Sequence, residues 1–308
     1  MSEREKEMKT NEIFRKTLKF VWLKLGLGMA ITVVSLILLG VIAGIAALFG
    51  SGEITILAGF IWFCMTLGVY VFAMRYVGYM IKAAHVAVVS QAVTTGQLPD
   101  NMFEAGKQMV TERFGATNTY FVLDRLISGA VSQLQKTVGK LENVFGGIPG
   151  VSTIIDFMQT FIGIALGYID ECCLGYTFIK KEDSAWKAGC DGVVIYFQNV
   201  KHLLKSAAVT TLMVMGLTFL AWLIPFAIIG GIFYAADGSM LIAAILCVVI
   251  AATLKAAFID SYVMVRTMKA YMEVAPSTEI TFDLYGKLCK LSGKFKELFN
   301  KSQQNAAA

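Results

Sequence analysis

Two stretches of about fifty residues without Lys or Arg constrain the fold more than any other feature of the sequence. The first covers residues 25–74, where Glu53 is the one charged residue, and the second covers residues 206–254, where Asp237 is the one charged residue. About twenty apolar residues cross the hydrocarbon of a bilayer once, so each stretch is longer than one crossing requires. The sequence therefore predicts an integral membrane protein.

Each uncharged stretch is interrupted near its middle by a cluster of turn-forming residues. The clusters are Gly50-Ser51-Gly52-Glu53 and Asp237-Gly238-Ser239, and glycine, serine and an acid within an apolar run mark the reversal of a helix. Four spans of about 22 residues remain, each about 33 Å long as a helix. The predicted spans are 26–48, 54–75, 207–233 and 240–259. The predicted fold class is an all-α integral membrane protein with four transmembrane helices arranged as two hairpins.

The distribution of Lys and Arg predicts the orientation of these spans. Basic residues recur through residues 1–24, 75–205 and 255–301 and are absent from both predicted turns. Because cytoplasmic loops carry the excess of Lys and Arg, both termini and the long central segment are expected to lie in the cytoplasm. We expect a multi-pass protein of the plasma membrane.

The two halves of the chain resemble each other at an offset of about 180 residues. Each half has an amphipathic segment that ends in lysine, then an uncharged hairpin, and then a basic and aromatic helix. This order is typical of membrane proteins built from parallel repeats, although any two membrane hairpins would share part of it.

The central segment is expected to form a membrane-proximal cytoplasmic helical bundle. Residues 151–179 within it are mostly apolar, but a fifth crossing would put Lys201, Lys205 and Lys255 on the wrong side of the membrane. A buried helix is therefore expected, with a re-entrant helix as the alternative. The predicted segments are an amphipathic N-terminal helix (1–24), hairpin 1 (25–82), the cytoplasmic helical domain (83–193), an amphipathic lead-in (194–205), hairpin 2 (206–270), a basic amphipathic C-terminal helix (271–301) and a disordered tail or cloning scar (302–308).

A helix expected over residues 122–145 carries apolar side chains at alternating steps of four and three, the spacing of a coiled-coil seam. A glycine-rich break at residues 146–150 separates it from the next helix. The seam predicts either a helical hairpin within the chain or an interface between subunits. Its residues are Ile127, Val131, Leu134, Val138, Leu141 and Phe145.

The helix after this break carries small and polar residues along one face, within an otherwise apolar sequence. Such a stripe faces a water-filled path or, for the glycines of Gly163-x-x-x-Gly167, a close helix crossing. In a further arrangement the aspartates pair with a cation inside the subunit, for instance Arg125. The candidate pore-lining residues are Asp156, Thr160, Gly163, Gly167, Asp170 and Thr177.

The C-terminal stretch has apolar residues on one side and lysines elsewhere. A helix of this kind lies on the anionic inner leaflet of the membrane or on the cytoplasmic bundle. The candidate membrane-surface residues are Lys287, Lys290 and Lys294.

Composition and motifs exclude several function classes. The 27 Lys and Arg are interspersed with 22 acids, which is not the basic patch of a nucleic-acid-binding protein. Six Cys form no CxxC pair and there are two His, so neither a zinc site nor a disulfide framework is supported. No enzymatic motif is present. We expect no cofactor, no nucleic-acid partner and no enzymatic activity.

Three stretches resemble a known family. They are SAWKAGCDGVVIYFQNVKHLLK, AAFIDSYVMVRTMKAYMEVAPST and LYGKLCKLSGKFKELFNK, and they resemble the last membrane helices and the Lys-rich tail of choline transporter-like proteins. The resemblance covers residues from about 171 onward, implies a carrier of small amines, and associates Asp260 with that family. By architecture, the chain also resembles four-span large-pore channels of the connexin and pannexin type, whose cysteine-bearing external loops are absent here.

The predicted spans have almost no polar residues, so one subunit cannot line a hydrophilic path. A ring of subunits can use apolar walls as a gate and cytoplasmic acids as a selectivity ring. We therefore expect a homo-oligomeric channel that prefers cations and passes ions or small solutes. The alternatives are a carrier of small amines and a membrane scaffold that transports nothing.

Overall fold

The computed structural model of the chain describes residues 8–115, 117–140, 167–237, 240–280 and 282–304, and this part is helical without a β-strand. It contains four helices that are long and apolar enough to cross a membrane, which agrees with the predicted all-α class and number of spans. The helices are α1 (Thr10–Lys16), α2 (Leu18–Phe49), α3 (Gly52–Ala73), α4 (Tyr79–Thr95), α5 (Met102–Phe114), α6 (Thr117–Lys140), α7 (Ile169–Ile179), α8 (Ala185–Gln198), α9 (Val200–Ala235), α10 (Met240–Leu254), α11 (Asp260–Val274), α12 (Phe282–Leu291) and α13 (Gly293–Gln304).

The first helix pair consists of α2 and α3. Helix α2 ends at Phe49, and Gly50 follows with a left-handed φ of +59°, a conformation that glycine adopts without steric penalty. Helix α3 then packs along α2. The Ser35 and Thr66 hydroxyls lie 2.9 Å apart, and the Trp62 indole donates to the Ser35 carbonyl at 2.9 Å. The predicted turn residues therefore separate two long helices that contact each other.

The second helix of each pair continues into the helical bundle through a π-helical turn. Met74–Gly78 links α3 to α4, and Lys255–Ile259 links α10 to α11. A π-turn inserts one extra residue into a helix and re-aims the residues that follow, and such turns occur frequently at functional sites. The second helix pair, α9 and α10, matches the first in this respect.

The halves also match where each begins. The Thr17 hydroxyl donates to the Ile13 carbonyl at 2.9 Å between α1 and α2, and the Asn199 amide donates to the Ile195 carbonyl at 3.0 Å between α8 and α9. A polar side chain that bonds the carbonyl four residues back competes with the helix backbone and marks an interruption. Helices α1–α4 and α8–α11 therefore have the same order, which supports the predicted similarity of the halves.

The core of the described residues lies in the bundle beyond the π-turns. Helices α4 and α11, which extend the two helix pairs, pack on each other and on α7, and α4 also packs on α5. Helix α8 packs on α7, and α6 and α13 pack on α8 and on each other. Close packing depends on glycine at Gly106, where a Cβ atom would lie 2.6 Å from the Ala84 carbonyl oxygen. The largest fully buried side chains are Tyr120, Tyr196, Tyr271, Phe20, Phe295, Ile13, Leu123, Ile127, Leu134, Ile169, Leu174 and Ile195, each of which contributes about 1.5–3 kcal/mol of burial.

The two helix pairs approach each other closely at their bundle ends. A Cβ atom at Gly28 of α2 would lie 2.9 Å from the Thr253 methyl of α10, whereas Gly40 and Gly44 farther along α2 have nothing within 4 Å among the described residues. The most apolar window of α3 has no buried residue at all. The helix pairs therefore expose long apolar faces, and each pair is joined to the bundle at its bundle end.

Several predicted boundaries fall within helices. The predicted lead-in, 194–205, spans the end of α8, the break at Asn199 and the start of α9. The predicted boundary after residue 82 cuts α4, which is continuous with α3. Hydropathy changes along these helices because their surroundings change, while the backbone remains helical.

Candidate functional site

Lys82 of α4 lies within ion-pairing distance of three carboxyl groups, at the point where the first helix pair joins the bundle. The Lys82 ammonium lies 3.1 Å from Glu171, 3.3 Å from Asp170 and 3.7 Å from Asp124. The first two acids open α7 and the third lies on α6. All four side chains are largely buried. We call Lys82, Asp124, Asp170 and Glu171 the junction cluster, in which carboxyl groups outnumber the cation.

The three carboxyl groups of the junction cluster differ in protonation. Burial works to raise the pKa of Asp170, but Lys82 and the hydrogen bond from Glu171 outweigh it and lower that pKa. Burial and the neighbouring Asp170 raise the pKa of Glu171 well above its ordinary value. Burial also raises the pKa of Asp124 against the attraction of Lys82. The favoured state has Asp170 ionised and Glu171 protonated, donating to Asp170.

A second buried lysine ties the two halves together beside this cluster. The Lys24 ammonium of α2 donates to the Ser261 hydroxyl of α11 at 2.9 Å and lies 3.4 Å from His85 Nδ1. A protonated lysine only donates, so His85 Nδ1 is the acceptor and its proton is on Nε2. The His85 ring is fully buried and stacks on Phe20 at 4.7 Å between centroids.

Asp260, the residue that the family resemblance singled out, is the first residue of α11 and forms a separate polar group there. Its carboxylate accepts a hydrogen bond from the Lys255 ammonium at 2.6 Å and another from the Tyr168 hydroxyl at 2.7 Å. Burial and the Asp260 charge raise the pKa of Tyr168, which therefore keeps its proton and donates. This group is about one-third exposed.

Some buried polar atoms around the junction cluster have no hydrogen-bond partner in the described part of the chain. They include the hydroxyls of Tyr79 and Tyr120 and one oxygen of Glu171. Tyr120 is fully buried, and burial together with Asp124 raises its pKa well above its ordinary value. Such atoms can accept a water molecule or a transferred proton. The described residues contain no group of His, Cys, Asp and Glu that could hold a metal ion.

The described members of the predicted polar stripe lie on the bundle side. Gly167 is exposed in the turn before α7. Asp170 points to Lys82, and the buried Thr177 donates to the Leu174 carbonyl at 2.6 Å. This placement supports pairing inside the subunit for Asp170. Asp156, Thr160 and Gly163 lie outside the described residues.

Arg125, the example given of a cation that pairs with the aspartates inside the subunit, was wrong for Asp170. Arg125 does not pair with Asp170, because its guanidinium lies over the Phe121 ring at 5.2 Å from the centroid. Lys82 takes that place instead. It comes from a helix that sequence spacing does not relate to α7.

The predicted seam on α6 packs within the chain over its described part. Ile127, Val131 and Leu134 are buried, and α6 contacts α7, α8 and α13. The Ile127 side chain approaches Gly189 of α8, where a Cβ atom would lie 3.2 Å away. These contacts favour the intrachain alternative over a subunit interface. The side chain of Val138 and residues Leu141 and Phe145 lie outside the description.

The apolar face of the C-terminal helices also packs on the bundle. Leu288, Phe295 and Leu298 are buried, and α13 contacts α6 and α8. Of the candidate membrane-surface residues, Lys287, Lys290 and Lys294 are exposed, and Lys294 pairs with Glu297 at 2.9 Å. Contact of these lysines with anionic lipid stays a prediction.

Sequence reasoning missed Lys24, Lys82 and Asp124 as site residues. A signal for the lysines was present, because each is a cation at the edge of a long apolar stretch, at residues 24 and 82. A cation there has to reach water or a carboxylate. Nothing in the sequence indicated which carboxylates they would meet.

Comparison with protein-family models, with curated proteins and with solved structures gave no match. The resemblance to choline transporter-like proteins therefore stays a prediction, and the site has to be interpreted from its own chemistry.

Proposed function

We propose that the protein is a homo-oligomeric channel of the plasma membrane that prefers cations. The observation that carries this proposal is the position of the junction cluster, an acid-rich group at the shared base of two apolar helix pairs. Carboxyl groups that ionise beside a path raise the local concentration of cations and disfavour anions.

The proposed orientation follows the charges at the two ends of the helix pairs. Lys24, Arg75, Lys82 and Lys255 lie at the bundle end, and the turns at the opposite end contain no Lys or Arg. By the preference of cytoplasmic loops for basic residues, the bundle and both termini would lie in the cytoplasm.

Oligomerisation is proposed because one chain supplies no polar path among its described residues. The exposed faces of α2, α3, α9 and α10 are apolar, with Ile37, Phe60, Leu212 and Ile228 each more than half exposed. Lipid can cover such faces, and helices of neighbouring copies can cover them equally well. Copies arranged around an axis would provide an apolar constriction that gates by dewetting.

Bilayer recording of the purified full chain across a potassium chloride gradient tests the proposal. We expect a reversal potential close to that of potassium. We also expect a weaker cation preference when Asp156→Asn and Asp170→Asn are combined, because the second change removes a carboxylate that compensates the Lys82 charge in the junction cluster. The matched control is Glu104→Gln, which removes an exposed acid on α5. A folded, reconstituted protein without conductance, or with a reversal potential on the chloride side, would contradict the proposal.

A small-amine carrier is the second candidate, and one observation favours it. The bond between Lys24 and Ser261 and the junction cluster lie where the two similar halves meet, and carriers built from repeats hold their coupling ions at such an interface. In the same vesicles a carrier would show saturable uptake of radiolabelled choline without single-channel events. If neither choline uptake nor single-channel events are observed, a membrane scaffold that transports nothing is the remaining interpretation.

A further inference from the structure

Two arginines beside the first helix pair share one aromatic ring. The guanidinium of Arg75, in the π-turn, lies 5.4 Å from the centroid of Phe121, and that of Arg125 lies 5.2 Å from the same centroid. Both arginines are exposed. A guanidinium held over a ring keeps its in-plane N–H donors available for a planar or tetrahedral anion.

Neither arginine has a carboxylate within ion-pairing distance in the described part of the chain. This distinguishes Arg75 from Lys255, the basic residue of the corresponding π-turn, which is paired with Asp260 at 2.6 Å. Among the described residues, the first π-turn thus presents positive charge without a counterion. An external anion would complete it with charge-assisted hydrogen bonds, which are the strong ones in proteins.

An apolar groove on α3 leads to the same point. Its volume is about 490 Å³, its lining runs from Cys64 to Phe72, and Arg75 and Tyr76 close one end. Gly68 is one of the lining residues, and it has no neighbouring atom within 4 Å of its Cβ position among the described residues. The groove therefore suits a hydrocarbon chain whose charged head lies beside Arg75.

We propose that Arg75, Arg125 and this groove bind one anionic phospholipid of the cytoplasmic leaflet. The phosphate would contact the two guanidinium groups and an acyl chain would lie along Gly68. An inorganic anion would use the arginines alone, so the groove identifies the ligand as a lipid. The inference rests on the membrane placement proposed above, and it does not require channel activity.

Native mass spectrometry of the purified full chain in detergent tests the site. Dioleoylphosphatidylglycerol, dioleoylphosphatidylcholine and inorganic phosphate are titrated separately, and phosphate is also added as a competitor. We expect the anionic lipid to bind at least ~10-fold more tightly than the zwitterionic lipid. Arg75→Gln or Arg125→Gln should weaken binding of the anionic lipid ~10-fold, the effect of one lost charge-assisted bond.

Two matched controls separate the site from general charge and bulk. Gly68→Leu fills the groove and should weaken binding of both lipids, whereas Gly59→Leu on the same helix should not. Arg15→Gln removes an exposed cation of α1 and should leave the lipid preference unchanged. Gly59 and Arg15 have no role in the proposed site. Thermal unfolding monitors the fold of each variant.

Three results would overturn the inference. They are unchanged binding of the anionic lipid by the Arg75→Gln and Arg125→Gln double variant, an equal effect of Gly59→Leu and Gly68→Leu, and full displacement of the lipid by inorganic phosphate. The proposed channel fails by a different measurement, because lipid binding in detergent is independent of conductance.

Discussion

The two π-turns have the same backbone and opposite electrostatics. In the second half, the turn at Lys255–Ile259 is neutralised locally, because Lys255 pairs with Asp260. In the first half, Arg75 has no such acid in the part of the chain that the structure describes. Lys82, eight residues after the start of the turn, meets three carboxyl groups from the central segment. The corresponding position in the second half is Val263, a buried core residue.

This difference indicates that the two similar halves compensate the charge of their lysines in different ways. In the second half, the lysine of the π-turn pairs with an acid of the same half, Asp260. The first half depends on α6 and α7, which lie between the halves in sequence and supply Asp124, Asp170 and Glu171. A buried lysine surrounded by acids is a demanding arrangement, because each charge has to be compensated. The first half is therefore the place to look for function, and the second provides its control.

The largest expected effect comes from removing the buried lysine. Lys82→Met leaves three buried carboxyl groups without their cation, and breaking a buried ion pair costs about 3–5 kcal/mol. Lys255→Met is the matched control, since its pair is about one-third exposed and such pairs contribute about 0–1 kcal/mol. Unfolding in detergent, followed by circular dichroism, measures both. Equal losses would erase the proposed difference between the halves.

A second test concerns the place where the helix pairs touch. Gly28→Leu introduces a side chain where a Cβ atom already lies 2.9 Å from Thr253, and overpacking of this kind costs about 1–3 kcal/mol. Gly26→Leu, two residues earlier on α2, enters open space and should leave stability unchanged. If Gly28→Leu is tolerated as well as Gly26→Leu, the halves are not held together at this contact.

Hydropathy and turn-forming residues were sufficient to predict the four long helices and the turn at Gly50. Gly238 and Ser239 of the second predicted turn lie outside the described residues. The lack of charge across residues 25–74 and 206–254 is a property of consecutive residues, as is the reversal at Gly50. Burial of Ile127, Val131 and Leu134 also followed from spacing along one helix.

The partners of these residues could not be predicted in the same way. Lys82 and Asp170 are 88 positions apart, and no local rule relates two helices separated by such a distance. The spacing within α7 identified Asp170 as a polar residue that needs compensation, but it could not distinguish a water-filled path from a lysine on α4. Pairing is decided by tertiary packing, whereas helix formation and amphipathicity are decided locally.

The protonation of the junction cluster predicts that the stability of the protein depends on pH. The folded-state pKa of Glu171 is raised above its ordinary value of 4.5, so its contribution to stability is present at acid pH and lost as the pH rises through the folded-state value. Glu171→Gln keeps an uncharged side chain and should remove that loss of stability.

The folded-state pKa of Asp170 is lowered. The contribution of Asp170 to stability is therefore lost as the pH falls below the ordinary pKa of 3.8, and Asp170→Asn should remove that second dependence. Melting temperatures measured between pH 2 and pH 9 distinguish the two slopes, and identical profiles for wild type and Glu171→Gln would contradict the assigned protonation.

The smallest expected effect lies in the second half. Asp260→Asn removes the carboxylate that accepts hydrogen bonds from Lys255 and Tyr168. Because this pair is partly exposed, the loss should be about 0.5–1 kcal/mol at low ionic strength and smaller in molar salt, which screens exposed pairs. Tyr168→Phe removes only the hydroxyl donor and should cost no more than the aspartate substitution.

Asp260→Asn also makes Lys255 resemble Arg75, a basic residue of a π-turn that has no acid within ion-pairing distance among the described residues. If a counterion is all that separates the two turns, Asp260→Asn should add a second, weaker site for phosphatidylglycerol in native mass spectra. If the ring of Phe121 and the groove at Gly68 are also required, the number of bound lipids should stay the same, and this is the result that we expect.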